Sequence, residues 1–138
     1  MEVGRFPAAV SRHVEFLSRL LYVWSAFNAI VGLAVLTFSI GAASLAVTAS
    51  AENPGTEVAA GITAATLAVV AVTALAWAGV HYLCARGIAD HRPWARALGL
   101  ALGLFDLPLM PLGTALGGYA LWVLLQEETR RQFGAAPH

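Results

Sequence analysis

The chain has 138 residues, 59% of them hydrophobic and 12% charged, with eight arginines, no lysine, eight acids and a formal net charge of zero. A soluble domain carries about 25% charged residues, so this composition excludes an ordinary soluble fold and predicts a single integral membrane domain over residues 1–138. Balanced charge gives no footing for nucleic-acid binding, and one cysteine, Cys84, excludes an intrachain disulfide and any thiol chemistry that needs a pair.

From the N-terminus, Val10, Val14, Leu17 and Leu21 recur at helical spacing, with Arg12, Glu15 and Arg19 on another face and Pro7 suited to a first turn. This amphipathic lead-in either lies along a membrane interface or extends the first span. That span is expected at about 17–38, where 22 residues at 1.5 Å each cover about 33 Å, close to a hydrocarbon thickness of about 30 Å. Small residues from Ser39 to Ser50 continue the helix toward a turn at Glu52-Asn53-Pro54-Gly55. Ala49-Ser50-Ala51 resembles a signal-peptide cleavage site, but the uncharged run from Leu20 to Ala51 is far longer than the roughly 7–15 apolar residues of such a signal.

The second span is expected at about 58–85, a stretch free of formal charge that contains His81 and Cys84. Gly87 is placed to end that helix and Pro93 to open the next. Two short spans of about 17 residues, 93–110 and 112–129, then complete an all-α, transmembrane four-helix bundle. A re-entrant hairpin turning at Asp106 to Gly113 is the alternative. Full spans are preferred because non-helical backbone at membrane depth must be shielded from lipid. The unequal hairpins show no inverted repeat of the transporter kind.

The arginines sort with this pattern. Arg5, Arg12 and Arg19 precede the first span, Arg86, Arg92 and Arg96 surround the middle loop, and Arg130 and Arg131 follow the last span; between these clusters lie two long stretches, Leu20 to Ala85 and Ala97 to Gln126, in which the only formal charges are Glu52, Glu57 and Asp106. By the positive-inside rule, the N and C termini and the middle loop are cytoplasmic, and the chain is a multi-pass protein of a bacterial cytoplasmic (inner) membrane. The bacterial source is inferred from the lysine-free, Ala-, Gly- and Arg-rich composition.

Trp24, Trp77, Trp94 and Trp122 follow the arginines toward the inner side, and with Arg96 they are expected to anchor the bundle at that interface rather than to line a ligand pocket. Gly99, Gly103, Gly113 and Gly117, with Gly118, place small residues four apart in both late helices, a spacing that permits close helix packing within one chain or between two. Three polar residues stand out within the apolar stretches. Asn28 fits an interhelical hydrogen bond, Asp106 fits a cap on the amides of Leu112 to Thr114, and His81 lies in the second span. An ion- or proton-carrying Asp106 is the sharper alternative. His81, Cys84 and His91 make weak grounds for a metal site, and His13 with His81 makes weak grounds for a haem, so no metal or cofactor is expected. No phosphate loop, nucleophile elbow or zinc-protease motif is present, which argues against an enzyme.

Arg92-Pro93-Trp94-Ala95-Arg96 and Pro111-Leu112-Gly113-Thr114-Ala115-Leu116-Gly117-Gly118-Tyr119-Ala120-Leu121-Trp122 resemble a group of uncharacterised small bacterial four-helix integral membrane proteins. Residues His13 to Gly32 are similar to the first helix of that group. The resemblance implies a four-helix fold and carries no activity, cofactor or catalytic residue. The expected function is non-enzymatic association in the lipid bilayer, with itself or as an accessory subunit of a membrane complex. The alternative is a small oligomeric transporter or channel with Asp106 and Asn28 near the pathway.

Overall fold

A computed structural model describes residues 8–49, 55–108 and 111–134. The expected turn at Glu52 to Pro54 and the end of the expected third span at 109–110 lie outside the described residues. Among those described are five α-helices and no strand: α1 Ala8–Ala49, α2 Thr56–Ala89, α3 Pro93–Asp106, α4 Leu112–Leu125 and α5 Glu127–Gly134. Two of them, α1 and α2, are long and apolar enough to cross a membrane. The chain divides into two compact units, one combining residues up to Trp24 with residues from Val80 onward, the other comprising Ser25–Gly79.

The Ser25–Gly79 unit contains the C-terminal part of α1 and the N-terminal part of α2, and its interior is built from small residues. Ser25 Oγ donates to the Ala78 carbonyl at 2.8 Å, and Ser39 Oγ donates to the Ala64 carbonyl at 2.8 Å. Between these rungs, Gly32 is so close to Leu75 that a Cβ at position 32 would lie 2.9 Å from Leu75 Cγ, and Ala71 is completely buried. Ser25, Gly32 and Ser39 are spaced by seven, as are Ala64, Ala71 and Ala78, the interval of a coiled-coil seam. Large apolar side chains point the other way, with Phe38, Ile40, Leu45, Val47, Val58, Ile62 and Val69 all exposed. The hydroxyls on these exposed faces are satisfied locally. Thr37, Thr63, Thr66 and Thr73 each donate to the carbonyl four residues back, which removes an unpaired donor from an apolar surface.

The other unit gathers α3, α4 and α5 with the first part of α1 and the last part of α2. Its core contains Val14, Leu17 and Leu21 from α1, Cys84, Ala85 and Ile88 from α2, Leu102 from α3, Leu116, Val123 and Leu124 from α4, and Phe133 from α5. The apolar stripe of the N-terminal segment is therefore packed against protein. Its helix runs without a break into the first long apolar stretch, the second of the two placements expected for it.

The α2–α3 corner differs from the expected one in an instructive way. Gly87 does not end α2; it is buried within the helix, where a Cβ would lie 2.6 Å from Ala95 Cβ and 2.8 Å from the Trp94 ring. His91 takes the left-handed conformation instead, with φ 52°. The His91 amide donates to the Ile88 carbonyl and the Arg92 amide to the Gly87 carbonyl, a Schellman closure of the helix end. Glycine is needed at 87 for the close approach of α3, and Pro93 opens α3 as expected.

α3 and α4 have 14 residues each, so each covers about 21 Å, against the roughly 17 residues expected. α4 stops at Leu125 rather than continuing toward Thr129, because Gln126 has extended backbone at φ −61°, ψ 138°. Glu127 and Glu128 then open α5, where acids suit the positive end of the helix dipole, while Thr129, Gln132 and Phe133 face inward.

Candidate functional site

Two of the three polar candidates meet. His81 Nε2 and Asp106 Oδ2 are 2.9 Å apart, and both side chains are fully buried. α2 presents His81 on the face that also buries Cys84, Ala85 and Ile88, whereas Asp106 is the last residue of α3. The carboxylate does not cap α4, whose first turn has no side-chain cap; the α3–α4 connection is closed by Thr114, whose hydroxyl donates to the Leu107 carbonyl. A histidine was a stronger partner than free amides, since it joins a buried acid to a second helix and lowers the cost of burying both polar groups. Asp106 Oδ1 is buried without a hydrogen-bond partner.

Asn28 is half-buried and belongs to the Ser25–Gly79 unit, so it is not part of the unit that holds His81 and Asp106. Among the described residues, His81, Cys84 and His91 form no metal-binding group. Cys84 Sγ is directed at the Ala95 carbonyl, 3.8 Å away, and His91 stacks against Phe133 with ring centroids 5.7 Å apart. His13 and His81, the pair considered for haem, have separate partners, Tyr119 and Asp106.

The late glycines act within the chain. A Cβ on Gly103 would lie 3.1 Å from the Gly117 carbonyl oxygen, and one on Gly117 would clash with the Gly103 carbonyl, so the two helix backbones touch at this point. Gly99 is filled by Leu124, 2.7 Å from where its Cβ would lie, and Gly113 is buried. Gly118 makes no such approach within the chain: a Cβ there meets nothing within 4 Å.

Arg96, expected as an interface anchor, donates from Nε to the Leu124 carbonyl at 3.0 Å. That carbonyl lies in the last turn of α4, where the break at Gln126 leaves acceptors without helical partners. Trp94 and Trp122 are exposed at 48% and 54%, while Trp24 and Trp77 are half-buried.

Sequence reasoning did not single out the aromatic cluster formed by α1 and α4. His13 Nδ1 is hydrogen-bonded to Tyr119 Oη at 3.1 Å, its ring meets Trp122 edge to face at 5.5 Å, and Phe16 meets Tyr119 at 6.0 Å. Beside it is an open groove of about 500 Å³ lined by Arg12, His13, Glu15, Phe16, Arg19 and Tyr119. The spacing of His13 and Phe16, three apart on one helix face, was its only sequence signal.

No family model, curated protein or solved structure matches the chain. The four-helix resemblance therefore rests on the residues quoted for it.

Proposed function

We propose that the chain is a multi-pass protein of a bacterial cytoplasmic membrane that acts by helix association, as a homo-oligomer or as an accessory subunit, and that it performs no chemistry of its own. In this reading both termini and the loop between α2 and α3 are cytoplasmic. The observation that carries it is the apolar length of the long helices. From Leu20 to Ala49, α1 has no formal charge and covers about 45 Å, well beyond a hydrocarbon layer of about 30 Å. Tilt takes up only part of this excess, since about 40° is the upper end of the usual range. The surplus contains exposed Ile40, Leu45 and Val47, and the seam that pairs α1 with α2 leaves these side chains uncovered. Contact with other helices covers them at no cost to the bilayer.

Gentle extraction followed by native mass measurement tests this directly. The expected species is a defined oligomer or a complex with a second membrane protein. A Leu45→Cys variant in a Cys84→Ser background should crosslink between chains in native membranes. A lone monomer, with no crosslinked product at Ile40, Leu45 or Val47, would sink the association reading.

One observation favours the second reading, a small oligomeric transporter or channel: the unmet Oδ1 of Asp106 beside His81 is the type of buried acid that ion or proton pathways use. In this reading Asp106 and Asn28 both lie near the pathway. Reconstituted flux that disappears in Asp106→Asn while the fold is retained supports this reading, and unchanged flux removes Asp106 from it.

A further inference from the structure

The groove between the first turns of α1 and the middle of α4 combines features that no helix-packing role requires. Arg12 and Arg19 are both exposed and lie seven residues apart, two turns along α1, so their Cα atoms are separated by about 10.5 Å along the axis. Guanidinium side chains of this reach can converge on one phosphate placed between them. Glu15 sits between the two and pairs with Arg19, with both side chains largely exposed. Such a pair contributes little to the fold and its arginine is readily recruited elsewhere. The remaining wall is aromatic: Phe16 is 54% exposed and Tyr119 presents its ring and hydroxyl beside His13, while the exposed Trp122 packs on both His13 and Tyr119 next to the groove.

We propose that this groove binds the phosphate headgroup of an anionic phospholipid, with Arg12 and Arg19 on the phosphate and Phe16 and Tyr119 against the glycerol and upper acyl region. This rests on the membrane reading above and adds a ligand to it. Two observations favour a lipid over soluble phosphate. The amphipathic ring of Tyr119 and that of the neighbouring, exposed Trp122 suit the headgroup level of a bilayer, and the groove is open rather than enclosed, as an acyl-bearing ligand requires. Each arginine near an anionic surface contributes attraction of the size that changes affinity severalfold, and Glu15 opposes it.

The test uses full-length protein in mild detergent, titrated with dioctanoyl phosphatidylglycerol or dioctanoyl phosphatidylcholine and followed by native mass spectrometry and tryptophan fluorescence. Phosphatidylglycerol should bind about tenfold more tightly than phosphatidylcholine. The Arg12→Gln/Arg19→Gln variant should lose that preference, Glu15→Gln should increase it, and Arg130→Gln/Arg131→Gln, with the same loss of charge elsewhere, should retain it. Equal affinity for the two lipids in the native chain overturns the proposal, as does a preference that survives Arg12→Gln/Arg19→Gln or weaker binding by Glu15→Gln. Displacement of phosphatidylglycerol by equimolar inorganic phosphate would assign the groove to a soluble anion and overturn the lipid. Alkaline carbonate washing of membranes separates the two levels: release of the chain sinks the membrane reading, whereas retention with no lipid preference sinks only the groove.

Discussion

His81 Nε2 and Asp106 Oδ2, 25 residues apart in sequence and 2.9 Å apart in space, join α2 to the end of α3 in a setting from which solvent is excluded. Removing one partner from such a pair in a water-soluble protein costs about 3–5 kcal/mol, because the other is left buried and unpaired. Within a membrane the unfolded chain also finds partners, and hydrogen-bond couplings there average nearer 0.6 kcal/mol with a maximum of about 1.7. His81→Ala and Asp106→Ala should therefore each lower stability in mild detergent by about 1–2 kcal/mol, and the double variant should cost less than the sum by about 1 kcal/mol. Additive losses in this double-mutant cycle would show that the pair is adjacent without being coupled.

Gly117 and Gly118 are neighbours with opposite expectations. A methyl group at 117 meets the Gly103 backbone, which has no flexible side chain to move aside, so Gly117→Ala should destabilise by about 1–3 kcal/mol. At 118 the methyl meets nothing, and Gly118→Ala should gain up to about 1 kcal/mol from helix propensity. Thermal unfolding of the two variants under one detergent condition measures the contrast, and equal effects would count against the backbone contact. Because Gly103 and Gly117 are occupied by each other, larger residues there disturb the fold first and are poor probes of self-association.

Arginines that the positive-inside rule treats alike differ in structure. Arg96 bonds the Leu124 carbonyl near the α4 terminus, whereas Arg130 is exposed. A hydrogen bond from a charged donor contributes about 1.5–3 kcal/mol, so Arg96→Gln should lose about 1–2 kcal/mol and raise amide exchange in residues 125–133. Arg130→Gln should remain within about 0.5 kcal/mol of the native chain. Indistinguishable exchange in the two variants would remove the capping role.

The helical class, the two long apolar helices and Pro93 as a helix opener were legible because hydropathy, length and proline act locally. The Asp106 partner was not, because a cap seven residues ahead and a histidine 25 residues behind are equally compatible with one carboxylate in a linear pattern. Gly87 was misplaced for the same reason: an isolated glycine before a polar loop looks like a helix terminator, and only the approach of Trp94 and Ala95 shows its steric role. The small-residue seam was present in the sequence and overlooked. Four-residue glycine spacing stood out in the late helices, while the seven-residue spacing of Ser25, Gly32 and Ser39 was carried by two residue types and did not.

That seam supplies a register test for the long hairpin. The positions that bond, Ser25 with Ala78 and Ser39 with Ala64, each sum to 103, which is the signature of antiparallel pairing without a slip. Small residues must stay opposite one another for the helices to approach this closely, and displacement by one residue would bring Ile40 or Ala65 to the Ser39–Ala64 rung. In a Cys84→Ser background, Ser39→Cys with Ala64→Cys should oxidise to an intrachain disulfide in native membranes. Ile40→Cys with Ala64→Cys should not, because Ile40 is exposed on the outer face. Gly32→Leu, which forces a side chain against Leu75, should spread the helices and reduce crosslinking at the Ser39–Ala64 pair. If the offset pair oxidises as readily as the in-register pair, the hairpin slides, and the serine and glycine spacing does not set its alignment.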